Sequence, residues 1–503
     1  MCNIFSVNTT TNWLVFTRYF IRPLPYICYR YLVIAGKLQY AFNHIISLSK
    51  SWDNLYDIGD VNDAAEYFQG FMDKIREENV PVEKIKGSRR KYPVWFTKEI
   101  INNLKAKERA RRKLKKRNTG ENLENFRLLR QRVKSQIKQA YRVNETSHEE
   151  NIKLNPARFW QYIKTKRAEN SKSDEKIFKD QRLCDPQCIA EAFAEHFSSV
   201  YASEAGHIKH IETDITNKQG MQVFKLQGIS EADVDRAIKK LKNKRSFGPD
   251  LVPSYVYKGL GEFLIKPLTH IYNLSITTNT FPNIYQLTKV TPVPKTEDNT
   301  EVSHHRPVAQ PSVPAKIFES IIREQIFIQI QNYITVSQHG FYTGKGVNTN
   351  LACFVQYVSE QMDAGLQVDT VYTDFQKAFD QVNHEILIKK MGDMGFTGET
   401  LQFFESYLRG RTQYVNYKGF VSKLRPCPSG VPQGSNLGPL LFLIFINDIE
   451  KGVKHSKVLV YADDLKLYRV VKNERDCALL QEDVHSLVVW SNDNKLLFNV
   501  KKM

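Results

Sequence analysis

The chain has 503 residues, too many for one ordinary domain and enough for about two to four. Hydrophobic residues make up 42% and charged residues 25%, which excludes a chain that is disordered, collagenous or disulfide-scaffolded throughout. Lys and Arg number 72 against 54 Asp and Glu, a net charge of +18, and this favours an anionic partner such as nucleic acid or a lipid surface. The 7 scattered cysteines indicate a reducing compartment.

The first 52 residues contain five bases and no acid. Aromatic and apolar side chains are frequent at 13–35, but Arg and Pro interrupt them, and no run reaches the roughly 18 apolar residues of a membrane span. The segment resembles a transit peptide only weakly. We therefore predict an N-terminal extension of unassigned role over 1–52, no membrane contact, and an intracellular protein of the nucleus or cytoplasm.

Most of the positive charge lies in residues 84–142, where 21 Lys or Arg accompany four acids. Good helix formers without Gly or Pro at 105–117 predict long basic helices within a mainly helical linker region over 53–180. A charge run is usually a solvated face, yet like charges at this density repel unless phosphates neutralise them, so we predict nucleic-acid contact. The predicted nucleic-acid-binding residues are Lys105, Lys107, Arg109, Arg111, Arg112, Lys113, Lys115, Lys116 and Arg117.

Two regions follow the basic stretch. Ile189, Phe193 and Phe197 recur at helical spacing, and Ser230 with Asp233 forms a capping pair, so we predict a helical region over 181–274. From about residue 368, short β-rich runs alternate with helical ones. This alternation predicts an α+β domain, which we place at 275–503.

The first chemically informative segment is 371–380. Residues 371–373 indicate the end of a strand, and apolar residues recur every four positions at 378–386, which predicts a helix. Asp374 then lies at the strand-to-helix junction. On this segment alone, a role as helix N-cap explains Asp374 equally well.

The second segment, 458–468, predicts a β-hairpin with Asp463 and Asp464 at its tip. Acids are common in turns, but adjacent carboxylates repel, and a bound divalent cation relieves that repulsion. Together with Asp374, the pair would hold two Mg²⁺ ions about 4 Å apart, the arrangement used for phosphoryl transfer.

The third segment, 429–439, lies between the first two and contains Gly430, Gly434 and Gly438. Glycine lets the backbone approach a ligand closely, and the apolar run at 440–446 predicts a helix that anchors the loop. A glycine-rich loop alone is weak evidence. Its position between two acid sites makes it a candidate part of the same site.

These three segments, at 374–380, 429–435 and 461–464, resemble motifs A, B and C of reverse transcriptases from non-LTR (LINE, jockey-like) retrotransposons. The resemblance implies an α+β right-hand polymerase with a fingers-palm domain, an antiparallel palm sheet and a preceding basic helical region. A group II intron or telomerase type of polymerase fits less well. The likeness continues upstream in short segments at 248–250, 290–295, 305–307, 316–319 and 338–341.

The resemblance implies an RNA-directed DNA polymerase, in which the 3′-hydroxyl of a primer attacks the α-phosphate of a dNTP and pyrophosphate leaves. Asp374, Asp463 and Asp464 would be the catalytic residues and the ligands of two Mg²⁺ ions, with Mn²⁺ as a substitute. Lys295 and Arg306 would bind the triphosphate, unless they are ordinary surface cations. The implied partners are an RNA template, a DNA primer or target and dNTPs, with no obligate protein partner.

Further roles follow only from the resemblance. Phe379 stands where the family places a bulky side chain beneath the sugar, which would exclude a 2′-hydroxyl; the alternative is a core aromatic on an amphipathic helix. Gln433 and Gly434 correspond to the loop at the templating base pair. Lys502 is a candidate for the lysine that protonates pyrophosphate, and Asp380 would be structural.

The extent of the chain raises an alternative function. Residues 498–503 resemble the middle of motif D, no thumb follows, and residues 1–83 are too few for an upstream endonuclease. We therefore expect a truncated element that lacks endonuclease and thumb. The alternative to an active polymerase is a catalytically inactive, element-derived protein that binds nucleic acid through its basic region.

Overall fold

The computed structural model describes residues 52–79, 92–93, 95–154, 160, 175–201, 222–244, 246–295 and 298–499. The chain divides into two compact units, one of residues 82–174 and one that joins 1–81 with 175–503. The segment 1–51 and the predicted general acid Lys502 lie outside the described residues.

Helices make up most of the regular structure in the described ranges. None of these helices is long and apolar enough to span a bilayer. The α-helices are α1 Asp53–Tyr56, α2 Val61–Asn79, α3 Lys98–Lys116, α4 Gly120–Leu154, α5 Pro186–Ser198, α6 Glu231–Lys240, α7 Ser254–Gly259, α8 Gly261–Thr277, α9 Asn283–Gln286, α10 Val313–Ile330, α11 Val347–Asp363, α12 Ala378–Gln381, α13 His384–Met394, α14 Gly398–Leu408, α15 Gly438–Ile446 and α16 Glu474–Asp493.

The strands of the described residues form three sheets. A short hairpin pairs β1 with β2, an antiparallel sheet has the order β5-β10-β9, and a larger sheet has the order β4-β3-β6-β7 with β8 on β6. The strands are β1 Lys176–Phe178, β2 Gln181–Leu183, β3 Leu287–Pro294, β4 His305–Pro311, β5 Gln367–Thr373, β6 Thr412–Tyr417, β7 Phe420–Val421, β8 Arg425–Pro426, β9 Lys457–Tyr461 and β10 Asp464–Val471.

The unit of residues 82–174 is built on the long helices α3 and α4. The Thr97 hydroxyl caps α3 by accepting from the backbone N–H of Ile100, and the amide of Asn103 donates to Gln136 Oε1 at 2.9 Å across the pair. The predicted basic helices are therefore present. Except for half-buried Lys107, the predicted nucleic-acid-binding residues at 105–117 are exposed.

Helices α1 and α2 pack in the core of the other unit, which differs from the predicted grouping of residues 53–180. Trp52, Leu55 and Phe68 are buried in the main hydrophobic cluster, and the Trp52 and Phe68 rings stack with centroids 5.6 Å apart. These residues belong to the larger unit because they have an apolar face to bury, whereas α3 is dominated by exposed cations.

Helix α15 lies at the centre of the same core, with nearly every side chain buried. Aromatic rings extend this core: Phe318 stacks on Tyr272 with centroids 4.5 Å apart and on Phe281 with centroids 5.7 Å apart. The predicted capping pair is also present, because Ser230 and Asp233 form a reciprocal capping box at the start of α6.

The predicted α+β class is confirmed in its coarse form, as helices packed with an antiparallel sheet. The larger sheet adds a feature that was not predicted, because β3 pairs antiparallel with β4 but parallel with β6. A parallel pair joins strands that are distant in sequence through a long crossover, so it leaves no local signal in the sequence.

We expect Phe68→Ala to lower the free energy of unfolding of the larger unit by about 3–5 kcal/mol, because it removes a fully buried ring. Urea titration followed by tryptophan fluorescence measures the loss. The matched control Phe420→Ala removes an exposed ring and should cost less than about 1 kcal/mol. Equal effects of the two changes would contradict the placement of α2 in this core.

Candidate active site

Asp374 directly follows β5, and residues 498–499 contact Asp374 and its neighbour Phe375. Its carbonyl oxygen accepts from the N–H of Asn499 at 2.7 Å, and the neighbouring Phe375 ring stacks on Phe498 at 4.5 Å. Neither following helix uses Asp374 as a cap, since Lys377 is the N-cap of α12 and Asn383 that of α13. The N-cap interpretation of Asp374 is therefore wrong.

The helix predicted over 378–386 is also interrupted. Lys377 has a left-handed backbone, and Val382, the C-cap of α12, leaves helical geometry before α13 begins. The interruption follows from contacts with the glycine-rich loop, because the N–H of Gly430 donates to the Val382 carbonyl at 2.8 Å. The contact uses the Val382 carbonyl at the point where the backbone leaves helical geometry.

The predicted hairpin is present with its acids at the tip. Tyr461 pairs with Asp464, so Ala462 and Asp463 form a two-residue turn. Ala462 has φ +58° and Asp463 is not among the residues with positive φ, the pattern of a type II′ turn, which favours Gly at the first position. An alanine in that strained conformation requires support from surrounding structure.

The sheet register brings the three aspartates to one end of β5 and β10. Thr373 pairs with Leu465, so one further step sets Asp374 opposite Asp464, with Asp463 next in the turn. Among the described residues, however, no group of three or more His, Cys, Asp or Glu side chains is arranged to hold a metal. Magnesium is commonly held by one or two carboxylates plus substrate phosphates, so these oxygen donors fit an ion that binds together with a nucleotide.

Residues 337–340 form a clamp on the aspartate turn. The N–H of His339 donates to the Val460 carbonyl and the N–H of Val460 to the Ser337 carbonyl, both at 2.9 Å. Gly340 packs so closely that a Cβ there would lie 2.2 Å from the backbone nitrogen of Ala462. The resemblance in the sequence includes residues 338–341, but nothing in the sequence indicates that they support the turn.

The glycine-rich loop is joined to both the segment after β5 and the larger sheet. A Cβ on Gly430, which has φ +82°, would lie 2.6 Å from the Asp380 carbonyl oxygen, and the N–H of Val431 donates to the Phe379 carbonyl at 2.7 Å. On the other side, the N–H of Ala309 in β4 donates to the Gln433 carbonyl at 3.0 Å. The loop therefore connects the segment after β5 to the larger sheet.

Phe379 is half-buried and packs on two aromatic rings. It stacks on Phe442 of α15 with centroids 4.7 Å apart and planes 12° apart, and meets the edge of Phe341 at 5.7 Å. These contacts fix the ring within the site. The side chain thus has the packing expected of a core aromatic, while part of it stays accessible to solvent.

The predicted triphosphate-binding cations lie on the β3–β4 hairpin. Lys295 Nζ donates to the Ser303 carbonyl at 3.1 Å, and Arg306 is exposed on β4 in the pair position of Val293. Burial raises the pKa of Asp380 to about 6, while the charges of Lys377 and Lys295 act to lower it. Lys295 therefore lies in the electrostatic neighbourhood of the segment that follows Asp374.

A buried polar network beneath the glycine-rich loop was not predicted. Glu319 is fully buried in α10 and accepts from the Tyr407 hydroxyl at 2.9 Å and from the N–H of Asn436 at 2.7 Å. Burial raises the pKa of Glu319, and the charge of Arg411 opposes this. The signal for this network in the sequence was Glu319 itself, an acid within the apolar stretch that forms α10. A buried carboxylate needs hydrogen-bond partners.

Taken together, an aspartate at a strand end, two aspartates in a facing hairpin and an intervening glycine-rich loop resemble the palm of a right-hand nucleic-acid polymerase. The comparisons with known proteins show what part of the chain is similar to. Residues 293–503 match the family model described as reverse transcriptase (RNA-dependent DNA polymerase). This match covers less than half of the chain, and it agrees with the predicted resemblance to reverse transcriptases of jockey-like, non-LTR retrotransposons.

Individual relatives agree with this assignment. The chain is 27% identical over 288 residues to the RNA-directed DNA polymerase from mobile element jockey of Drosophila melanogaster, covering 55% of this chain and 31% of the relative. It is 24% identical over 337 residues to the probable RNA-directed DNA polymerase from transposon X-element of the same species, covering 62% and 37%. The matched part is thus about a third of the length of these relatives.

We expect Gly434→Ala to lower the free energy of unfolding of the larger unit by about 3 kcal/mol, because it adds a steric clash to backbone strain. Gly434 has φ +123°, and a Cβ there would lie 2.4 Å from the Ala309 carbonyl oxygen. Gly419→Ala is the matched control, since Gly419 has φ +93° but open space around it. Urea unfolding should show a loss of only about 1 kcal/mol for the control; equal losses would mean that the loop does not press against β4.

Proposed function

We propose that the chain acts as an RNA-directed DNA polymerase of a non-LTR retrotransposon, copying RNA into DNA by two-metal nucleotidyl transfer. The observation that carries the proposal is the strand register that gathers Asp374, Asp463 and Asp464 at one end of the antiparallel sheet. The family match over 293–503 supports the same reaction. The jockey and X-element relatives are themselves named as RNA-directed DNA polymerases.

In the proposed reaction, a primer 3′-hydroxyl attacks the α-phosphate of a dNTP and pyrophosphate leaves. Two bound Mg²⁺ ions, or Mn²⁺ in their place, would supply Lewis acidity at the attacking oxygen and neutralise charge on the leaving phosphates. Asp374 and Asp463, both half-buried, would be the principal carboxylates that hold them. Asp464 is more exposed and would assist.

The neighbouring residues would position the nucleotide. Lys295 would bind the triphosphate as a compact charge and Arg306 as a bidentate donor. Phe379, held by Phe442 and Phe341, would leave no room for a 2′-hydroxyl and so select deoxynucleotides. Gln433 and Gly434 are exposed on the loop that joins β4, where they would contact the templating base pair.

A second proposed activity, nucleic-acid binding, is assigned to the unit of residues 82–174. Helix α3 carries basic side chains around most of its exposed surface through its last turn. Such a surface binds phosphates through counterion release and without sequence readout. This binding would hold RNA or DNA whether or not the polymerase site is active, so the two activities can be tested separately.

We expect Asp463→Asn to reduce dNTP incorporation on primed RNA by about 10²-fold or more, because an amide is a weaker ligand for a divalent ion. Incorporation by the purified chain at fixed Mg²⁺ concentration measures the effect. Asp363→Asn, at the exposed end of α11, is the control and should retain full activity. Equal incorporation by the wild type and Asp463→Asn would remove Asp463 from the site, and no incorporation by any form would favour the binding-only alternative.

The second prediction concerns the basic helix. Replacing four exposed cations of α3 by Gln should weaken RNA binding and reduce the slope of log affinity against log salt by about 3, because each lost phosphate contact removes counterion release. Fluorescence anisotropy with labelled single-stranded RNA from low to high salt measures the slope. The four residues are Arg111, Arg112, Lys113 and Lys115.

The matched control for this experiment replaces four exposed lysines of the larger unit by Gln, so that the net charge changes equally. An identical loss of slope in both variants would contradict a dedicated binding surface on α3 and indicate a diffuse charge effect. The control residues are Lys225, Lys242, Lys423 and Lys472.

A further inference from the structure

We propose that Gln338 is a positioning residue for nucleotidyl transfer, and that its side-chain oxygen fixes the turn that carries Asp463. The inference rests on the proposed polymerase function for its catalytic consequence. The structural part of the inference, that one amide oxygen sets the conformation of the turn, can be tested without any activity.

The Gln338 side chain accepts two backbone hydrogen bonds at the turn. Its Oε1 accepts from the N–H of Ala462 at 3.0 Å and from the N–H of Gly340 at 2.7 Å. Gln338 is only 1% exposed and Ala462 only 5%. Water therefore has little access, and without this oxygen the N–H of Ala462 would be buried without an acceptor.

The turn depends on this acceptor because of its own conformation. Ala462 occupies a left-handed conformation with φ +58°, which residues with a Cβ adopt only when surrounding structure holds them. The close approach of Gly340 to the Ala462 nitrogen supports the turn from the same side. Asp463 is the next residue, so a change of backbone angles at Ala462 would move its carboxylate directly.

The oxygen of the Gln338 amide makes the hydrogen bonds to the turn, and the nitrogen makes none. Its Nε2 is buried and has no hydrogen-bond partner among the described residues. A side chain selected only to fill this space would not need an amide, since a buried polar group without a partner is unfavourable. This difference between the oxygen and the nitrogen predicts that the conformation of the turn depends on a hydrogen-bond acceptor at position 338 and not on a donor.

The hairpin strands have separate support, which confines the effect of Gln338 to the turn. Asn350 Nδ2 donates to the Val460 carbonyl at 3.3 Å, and Lys466 Nζ donates to Asn350 Oδ1 at 2.8 Å. The backbone bonds of Ser337 and His339 to Val460 also remain when the Gln338 side chain changes. Loss of the amide should therefore displace the turn while β9 and β10 stay paired.

The kinetic test compares Gln338→Met, which keeps the size but lacks the oxygen, with Gln338→Glu, which keeps an oxygen acceptor. Gln338→Met should lower kcat for incorporation on primed RNA by about 10–100-fold, as is typical for partners of metal-binding residues. The KM for dNTP should change by less than about 2-fold, because the proposed nucleotide contacts lie on other elements. The Mg²⁺ concentration for half-maximal rate should rise, and Gln338→Glu should recover most of the rate.

The structural test uses amide hydrogen exchange of the same proteins. Gln338→Met should speed exchange at Ala462 and leave Leu465 and Leu467 in β10 unchanged, because only the turn loses its acceptor. Gln356→Met, an exposed glutamine on α11, is the control and should change neither exchange nor kinetics. Unchanged exchange at Ala462, or faster exchange spread evenly over the larger unit, would overturn the proposed local role.

The combined outcomes separate the two proposals. If the wild type incorporates no nucleotide but Gln338→Met speeds exchange at Ala462, the proposed polymerase function fails and the turn clamp stands. If the wild type is active and Gln338→Met raises KM with kcat unchanged, Gln338 acts on nucleotide binding and its positioning role is refuted.

Discussion

The antiparallel register between β5 and β10 is the constraint on which the candidate site depends. On one face, Val460, Leu465 and Leu467 are buried in the main core, while Lys466 lies over the Phe354 ring of α11 on the other face. Because side chains alternate along a strand, a slip by one residue would move leucines out of the core and Lys466 into it. The hydrophobic core therefore also fixes where Asp374 and Asp464 stand relative to each other.

Backbone contacts too close for a side chain connect that sheet to the rest of the site. Gly340 presses on the aspartate turn, Gly430 on the carbonyl of Asp380, and Gly434 on the carbonyl of Ala309. Each contact joins segments that are far apart in sequence. These close contacts of the site are thus made by main-chain atoms.

The local features of the fold could be predicted from the sequence, and the relations between distant segments could not. The hairpin with Asp463 and Asp464 at its tip, the capping box of Ser230 and the helix after the glycine-rich loop all have short-range signals. The break between α12 and α13 arises from a contact with Gly430 about fifty residues later, so periodicity alone predicted a helix through it. The clamp of Gln338 on Ala462 likewise joins residues 124 positions apart.

The two units also differ in where their charged side chains lie. Residues 84–142 carry 21 of the 72 cations and only four acids, and helix α3 keeps most of its own cations exposed instead of pairing them in a core. The larger unit instead buries charged groups in defined partnerships, such as Glu319 with Tyr407 and the N–H of Asn436. A buried charge needs fixed partners and so specifies geometry, whereas an exposed cationic surface attracts any polyanion. Net charge therefore indicates the kind of partner, and the few buried or strand-end acids indicate the chemistry.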